Sequence, residues 1–228
     1  MKIKGILLDI DNTLYDYRKT HEIALDAVFE FLINRYSLNK EALSSTYVAA
    51  RQQIHAELSE TAASHNRILY FQRMFEILKI NALKHSLDVY NLYWDTFLDN
   101  LKVREGAYDF LEHIKNKKIC LLTDLTADIQ HRKVQKMRLF DYADYIVTSE
   151  EAGREKPHPY IFMLALQKLR LKIGDICMIG DSLEKDILGA VNLGIYSYWL
   201  NESDNSTNPN KLVTAFKSFG ELIGYFNE

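Results

Sequence analysis

The stretch Ile6-Leu7-Leu8-Asp9-Ile10-Asp11-Asn12-Thr13-Leu14 decides the fold, because an apolar run ends abruptly at two carboxylates one residue apart. Continuous apolar residues bounded by turn formers are typical of a strand that is covered on both faces. Ligands bind just beyond the carboxyl ends of such strands in open α/β sheets. Two close carboxylates also repel each other unless a hard cation or a shared proton neutralises them. The pattern therefore predicts a site, although Asp, Asn and Thr also form plain turns.

The composition is that of an ordinary globular protein, either one large domain or a domain with an insertion. The chain has 228 residues, of which 47% are hydrophobic, and its formal net charge is -3. Since neither charge sign forms a strong run, the sequence predicts a small-molecule partner and no nucleic acid or membrane surface. Its apolar runs are too short for a signal peptide or a membrane span, so the expected location is cytoplasmic. Cys120 and Cys177 lie in apolar runs and are expected to be reduced core residues.

Residues 17–97 differ from the rest of the chain, because they show helical periodicity and contain neither glycine nor proline. The pattern predicts a four-helix insertion. Its clearest helix follows an N-cap at Asn39, and the others are predicted over residues 20–36, 66–80 and 86–98. Several polar and aromatic residues interrupt the apolar stripes and are expected to lie mostly on a solvated face: Arg51, His55, Arg67, Tyr70 and Arg73.

Strand and helix patterns alternate from residue 98 to the end of the chain. This alternation predicts an α/β fold with a doubly wound parallel sheet, formed by residues 1–16 and 98–228. Besides the first strand, the predicted strands are Lys118–Leu122, Ala143–Thr148, Ile176–Ile179 and Ile195–Leu200. Helices are predicted over 107–116, 127–138, Tyr160–Leu169, 184–193 and Phe219–Phe226, with a loop at Asn201–Asn210. Pro159 suits the first turn of a helix, and Gly194 suits a helix end.

Further polar residues follow the other predicted strands. They are Thr123 and Asp124, Lys156 just before a helix, and Asp181 with Asp186 five residues later. Because the carboxyl ends of parallel strands meet at one edge, these side chains are expected near Asp9 and Asp11. Phosphoryl transfer needs an in-line nucleophile, cations for the phosphoryl oxygens and a proton for the departing oxygen. Carboxylates, a hydroxyl, a lysine and a metal ion would supply them.

These motifs, in this order, resemble the four motifs of the haloacid dehalogenase (HAD) superfamily. The helical insertion resembles the first-type cap of that superfamily, and the segments EEAGREKPHPYIF and IGDSLEKDILGAVNLG are similar to its phosphatase branch. The resemblance covers the whole chain. It implies a Rossmann-like core and a Mg²⁺-dependent phosphatase. Such an enzyme would hydrolyse a small soluble phosphomonoester, whether a nucleotide, a sugar or a metabolite phosphate, through an aspartyl-phosphate.

The resemblance also implies roles for the reacting residues. Asp9 would be the nucleophile, and Asp11 would be the general acid for the leaving alcohol and then the base for water. Thr123 and Lys156 would bind the phosphoryl oxygens. Three further residues of the same motifs are also expected to bind substrate: Asn12, Thr13 and Asp124.

The implied metal ion is Mg²⁺, which prefers oxygen ligands and leaves room for water and phosphate. Its ligands would be Asp9, the backbone carbonyl of Asp11, and Asp181. Asp186 would stand behind them and orient either Lys156 or a metal-bound water.

Asp124 departs from the family pattern, because many of these phosphatases have Asn after the hydroxyl residue of the second motif. An acid there could repel phosphate. Alternatively, it could point away and cap the following helix, or select a cationic group on the substrate. The sequence leaves these alternatives open.

Other functions share parts of the pattern. A 2-haloacid dehalogenase uses an aspartate nucleophile on carbon and needs neither a second acid nor Mg²⁺, so Asp11 argues against it. A phosphomutase keeps both aspartates, and a non-catalytic phosphate-binding regulatory protein would keep the fold without turnover. A phospho-acceptor signalling receiver shares the acids, Thr and Lys but has no place for the long helical insertion.

Overall fold

The computed structural model describes residues 3–203 and 210–227, and the chain divides into two compact units. The α/β unit contains Met1–Asp16 and Lys102–Glu228, and the helical unit is Tyr17–Leu101. The predicted end of the insertion at residue 97 falls inside a helix, Ala82–Asn100, and the helical unit extends to Leu101. Within the described residues, no helix is long and apolar enough to cross a membrane.

The helical unit consists mainly of α1 (Tyr17–Tyr36), α2 (Lys40–Glu57), α3 (Arg67–Ile77) and α4 (Ala82–Asn100). Asparagine begins three of these helices, and the predicted N-cap is confirmed: Asn39 accepts a 2.7 Å hydrogen bond from the backbone of Ala42. Helix α4 packs against α1 and α3, and α3 packs against α2. Their shared core is strongly aromatic and includes Tyr93 and Trp94.

The prediction that the residues interrupting the apolar stripes of the helical unit lie mostly on a solvated face is partly wrong. Tyr70 is fully buried and Arg67 is only 7% exposed. Arg73, in the same helix as Arg67, does lie at the surface, where it pairs with Glu57. Periodicity alone could not separate the two arginines, because a long polar side chain can lie along an apolar face while its head group finds partners there.

A six-stranded parallel sheet forms the centre of the α/β unit, which confirms the predicted fold class. In chain order its strands are β1 (Gly5–Leu8), β2 (Lys118–Thr123), β3 (Tyr145–Thr148), β4 (Ile176–Gly180), β5 (Tyr196–Leu200) and β6 (Val213–Phe216). Their order across the sheet is β3-β2-β1-β4-β5-β6. The order reverses between β1 and β4, and open α/β sheets bind their ligands at such a point. Leu8 pairs with Leu121 on one side and Ile179 on the other, so the residues that follow these three strands meet there.

Helices cover this sheet. They are α5 (Ala107–His113), α6 (Ala127–Lys136), α7 (Ser149–Ala152), α8 (Pro159–Leu169), α9 (Gly189–Val191) and α10 (Phe219–Gly224), and a π-helical segment, Leu183–Leu188, leads into α9. Pro159 occupies the first turn of α8, and Gly194 takes a left-handed φ of 80° after α9, both as predicted. One core cluster joins α8 to the strands and includes Leu7, Leu122 and Phe162. Cys120 and Cys177 are free and buried, as expected.

The last strand, β6, was not predicted from the sequence. It has only four residues at one edge of the sheet, where Thr214 and Ala215 are partly exposed, so it gives no long apolar signal. The predicted loop Asn201–Asn210 lies largely outside the described residues.

Candidate active site

Asp9 follows the central strand β1, at the point where the strand order of the sheet reverses. Its backbone N–H donates to the carbonyl of Ile179 at 3.0 Å, which continues the ladder between β1 and β4. The side chain is 3% exposed, and both of its oxygens accept hydrogen bonds. Lys156 donates to Oδ1 at 2.6 Å, and the Thr13 hydroxyl donates to Oδ2 at 2.7 Å. The carboxylate of Asp9 is therefore fixed in orientation by the fold.

Lys156 joins three parts of the α/β unit. Its Nζ donates to Asp9 Oδ1 at 2.6 Å, to Asp186 Oδ1 at 2.6 Å and to the carbonyl of Leu122 at 3.0 Å. Burial alone would lower the pKa of Lys156, but the carboxylates of Asp186 and Asp9 outweigh it and raise that pKa well above its usual range. Lys156 is therefore a permanent cation at the bottom of the site.

A cluster of three carboxylates lies beside Lys156, and one oxygen from each of Asp9, Asp181 and Asp186 is within 4.8 Å of the other two. Burial raises the pKa of Asp9 to about 7, where Lys156 opposes the rise and Asp186 adds to it. Burial, followed by the charge of Asp9, raises the pKa of Asp181 to about 6. Three acids around one lysine leave excess negative charge, and every side-chain donor is an oxygen. This donor set fits a hard divalent cation such as Mg²⁺.

Gly180 makes room for Asp186. The Asp186 carboxylate accepts from the backbone of Ser182 at 3.0 Å and folds back over the end of β4. A Cβ at position 180 would lie 2.5 Å from Asp186 Oδ2, so only glycine fits beneath this carboxylate. The Gly-Asp-Ser turn thus positions Asp181 and Asp186 together.

Asp11 has partners that are separate from those of Asp9. Lys133 donates to its Oδ1 at 2.5 Å, Gln130 donates to its Oδ2 at 2.8 Å, and the Tyr15 hydroxyl also donates to Oδ1. Burial would raise the pKa of Asp11, but the charge and hydrogen bond of Lys133, with those from Tyr15 and Gln130, lower it overall. The two aspartates of the first motif therefore experience different environments.

Lys133 and Gln130 were missed in the sequence analysis, although both are fully buried on α6. Gln130 also donates to the Thr123 hydroxyl at 2.9 Å and to the carbonyl of Asp124 at 2.7 Å. A usable signal was present. Lys133 stands four residues from both Ile129 and Met137, on the stripe of α6 that faces the core. A lysine on such a stripe needs a buried anionic partner.

Both carboxylate oxygens of Asp124 accept hydrogen bonds, beside the site. Its Oδ1 accepts from the backbone N–H of Lys156 at 3.0 Å, and its Oδ2 accepts from Lys185 at 3.1 Å. The N-cap of α6 is Thr126, and the carboxylate that accepts from the first backbone N–H of the helix, that of Ala127, belongs to Glu150 at 2.7 Å, so Asp124 does not take the capping role that the sequence allowed. Lys185 offsets the charge of Asp124, which reduces the expected repulsion of phosphate.

The structure brings all the predicted site residues into one network. Asn12, in a left-handed conformation with φ of 68°, donates to Asp181 at 2.9 Å, and Gln130 links Asp11 to the end of β2. The Thr13 hydroxyl, 3.4 Å from Asp181 Oδ1, joins Asn12 and Asp181 to Asp9. The connected residues are Asp9, Asp11, Asn12, Thr13, Thr123, Asp124, Lys156, Asp181 and Asp186. Parallel strands produce this convergence from segments that are far apart in the chain.

Comparisons with known proteins agree with this geometry. The family model described as haloacid dehalogenase-like hydrolase matches residues 3–194. The chain is 33% identical over 206 residues to the ribulose-1,5-bisphosphate 5-phosphatase of Halopiger xanaduensis, and the matched region covers 89% of this chain and 86% of that protein. It is 27% identical over 234 residues to the N-acylneuraminate-9-phosphatase of Rattus norvegicus, covering 97% of this chain and 94% of that one.

The fold has also been seen in crystals. The structure of YfnB from Bacillus subtilis bound to magnesium matches with a TM-score of 0.75 and 19% identity, covering 100% of both chains. The helical unit, inserted between β1 and β2, corresponds to the first-type cap expected from the motifs. The chain belongs to the haloacid dehalogenase-like hydrolases.

Proposed function

We propose that this chain is a Mg²⁺-dependent phosphatase that hydrolyses a small soluble phosphomonoester through an aspartyl-phosphate on Asp9. The observation that carries the proposal is the environment of Asp9, a carboxylate at the end of the central strand that is held by the buried cation Lys156. The second acid, Asp11, lies two residues away with its own set of partners. Both curated relatives described above are named as phosphatases, which supports the same reaction class.

In the first step, an oxygen of Asp9 attacks phosphorus while the bond to the departing oxygen breaks. Asp11 gives its proton to that oxygen, so the alcohol leaves in neutral form. Lys133 lowers the pKa of Asp11, but the negative charge of a bound phosphate ester acts in the opposite direction and favours the protonated acid. Lys156 and Thr123 bind oxygens of the transferring phosphoryl group and stabilise the charge that develops on them. The products of this step are the free alcohol and an aspartyl-phosphate on Asp9.

In the second step, water attacks the phosphorus of the aspartyl-phosphate. Asp11 accepts a proton from this water, and the bond between phosphorus and the Asp9 oxygen breaks, which releases inorganic phosphate. Asp9, the backbone carbonyl of Asp11 and Asp181 would hold Mg²⁺, with Asp186 beside them. When bound, the ion would supply positive charge that allows the phosphate dianion to approach the carboxylates.

The experiment is an assay with p-nitrophenyl phosphate in Mg²⁺ and in excess chelator, using the parent chain and Asp9→Asn. We expect chelation to abolish turnover, Mg²⁺ to restore it, and Asp9→Asn to show neither product nor an acid-trapped phosphoenzyme. Asp175→Asn is the matched control. Asp175 lies away from the site, and its carboxylate pairs with Lys4, with 2.9 Å between Oδ1 and Nζ. Full activity in chelator after dialysis would remove the metal from the proposal. Absence of turnover on a broad panel of phosphate esters would favour a phosphate-binding protein.

A further inference from the structure

Arg67 is a buried cation within the helical unit. Its guanidinium lies 5.0 Å from the ring centre of Tyr70 and 5.8 Å from that of Tyr93. Nη1 donates to the carbonyl of His65 at 2.5 Å, and Nη2 donates to the Tyr17 hydroxyl. All of these partners are neutral, so none of them cancels the positive charge.

No carboxylate forms an ion pair with Arg67 among residues 3–203 and 210–227. Arginine remains protonated in proteins, and a buried cation without an anion is energetically costly. Arg73 provides the contrast, since it stands six residues later in α3 and pairs with both Glu57 and Glu76. Arg67 therefore lacks an acidic partner because of its own position, and not because α3 as a whole lies far from acidic residues.

Two donors near Arg67 lack acceptors. The Tyr47 hydroxyl and the Nε of Arg67 are both buried, and neither has a hydrogen-bond partner in the described part of the chain. The Tyr47 ring packs 6.0 Å from Tyr70 and 6.1 Å from His21, so it belongs to the same cluster. Buried polar groups are nearly always satisfied, and what these two require is an acceptor.

Arg51 adds a second positive charge at an exposed position of the same region. Burial, together with the charges of Arg67 and Arg51, lowers the pKa of His21 to about 3. His21 is thus neutral at neutral pH, and its Nδ1 lies 2.7 Å from the Tyr93 hydroxyl. The cluster contains two cations and several neutral donors. We call it the Arg67 cluster, and its members are Arg67, Arg51, Tyr47, His21 and Tyr17.

We propose that the Arg67 cluster is a binding site for an anionic oxygen group, a phosphate or a carboxylate, which supplies both the missing acceptor and the missing charge. Guanidinium groups bind such anions through charge-assisted hydrogen bonds. Two sources share this chemistry. One is a second anionic group on the substrate of the proposed phosphatase, and this source rests on the proposed function. The other is a separate small anion, which does not.

Trp94 offers a direct reporter of binding. Its ring centre lies 5.9 Å from the Arg67 guanidinium, and the chain has only one other tryptophan, Trp199. In a Trp199→Phe background with excess chelator, inorganic phosphate and malonate are titrated at constant ionic strength while Trp94 fluorescence is recorded. We expect a saturable change. Arg67→Met should abolish it, and Arg73→Met, the matched control on α3, should retain it.

Tyr47→Phe keeps the test decisive if Arg67→Met fails to fold. It removes only a hydroxyl that has no hydrogen-bond partner in the described structure, so the fold should be preserved. The affinity for the anion should nevertheless fall by about tenfold, the usual effect of losing one hydrogen bond to a charged group. Three results would overturn the site: no saturable change in the parent, equal responses from Arg67→Met and Arg73→Met, or unchanged affinity in Tyr47→Phe.

Kinetics distinguish the two sources. Glycerol 3-phosphate and 3-phosphoglycerate differ in whether the ester carries a carboxylate, so kcat/KM is compared for both in the parent and in Tyr47→Phe. A loss confined to 3-phosphoglycerate supports a subsite for the substrate. Equal changes for both esters, together with a response of activity to malonate, support a separate anion. If the proposed function fails, neither ester is turned over, and the fluorescence titration still decides the site.

Discussion

Asp9 and Asp11 look alike in the sequence, but their side chains are held from different directions. Lys156 and Thr13 donate hydrogen bonds to Asp9, whereas Lys133, which contacts none of the three clustered carboxylates in the bonds described above, donates to Asp11. Asp9 shares its surroundings with Asp181 and Asp186, and Asp11 does not. The two residues are therefore separable by mutation, even though only one residue lies between them.

Asp11→Asn should lower activity to an extent that depends on the leaving group. The amide keeps the shape of the side chain and the backbone carbonyl, but it has no proton to donate. General acid catalysis typically contributes about 10²–10⁴-fold, so we expect a loss of that size on a sugar phosphate and a much smaller one on p-nitrophenyl phosphate. The measurement is kcat/KM for both esters. Equal losses on the two would remove Asp11 from the acid role.

Lys133→Met should destabilise the α/β unit, because it leaves the Asp11 carboxylate without its cation. Lys133 is fully buried, and the Asp11 side chain is 27% exposed. Breaking a buried ion pair costs about 3 kcal/mol, which urea unfolding can measure. The double variant Lys133→Met/Asp11→Asn should recover part of this loss.

Lys115→Met is the matched control for this cycle, since the pair of Lys115 with Glu112 lies at the surface and should contribute little. If the double variant is as unstable as the sum of the two single variants, Lys133 and Asp11 are not coupled, and Lys133 acts through packing alone.

At the level of elements, the strands and their polar ends could be predicted from the sequence, and the helix faces could not. Thr123 and Asp181 follow apolar runs, and parallel strands bring such positions together whatever lies between them. Lys133 and Arg67 stand on helices, where a cation normally indicates solvent. The apolar stripe of α6 was a sequence signal for the burial of Lys133, but for Arg67 only the packing of α3 shows that the side chain is buried. The strand β6 was missed for another reason, namely its short length at an edge.

The helical unit should lose stability in acid because of His21. Burial, with the charges of Arg67 and Arg51, lowers the pKa of His21 from 6.5 to about 3, while Tyr93 and Tyr17 face the ring. Below about pH 6.5 the unfolded chain binds a proton that the folded chain does not, so unfolding becomes easier as the pH falls towards 3. Between pH 7 and pH 5 this contributes a loss of about 2 kcal/mol.

Urea unfolding of the parent chain and His21→Phe at these two pH values tests the prediction. The parent should lose about 2 kcal/mol more than the variant between the two pH values. His131→Phe, at an exposed position of α6, is the control and should behave as the parent does. An equal loss in the parent and His21→Phe would show that His21 does not carry the acid sensitivity.

At the scale of the whole molecule, the helical unit is inserted at a single point of the α/β unit. Tyr15 and Val103 form an antiparallel bridge, and the backbone of Arg104 donates to the carbonyl of Leu14 at 2.8 Å. The chain therefore leaves the α/β unit and re-enters it at adjacent positions. Each unit also has its own buried core, around Leu122 and Phe162 in one and around Trp94 in the other.

Replacing residues 17–101 with a short Gly-Ser linker should therefore leave a folded α/β unit. The linker has little distance to span, and the residues that hold Asp9, namely Thr13 and Lys156, belong to this unit. In the proposed function those side chains bind the phosphoryl group, so we expect the α/β unit alone to have few groups with which to recognise the rest of a substrate. We expect the truncated protein to retain some turnover of p-nitrophenyl phosphate and to lose its preference among natural phosphate esters.

Circular dichroism and urea unfolding establish whether the truncated protein folds, and relative kcat/KM values over an ester panel establish its selectivity. The same deletion in the Asp9→Asn background is the control, because any turnover that remains there comes from a contaminating phosphatase. A folded truncation with the selectivity of the parent would place substrate recognition in the α/β unit. If the deletion changes kcat/KM by the same factor for every ester, the helical unit has a general role in turnover. Selectivity depends only on differences between substrates in transition-state binding.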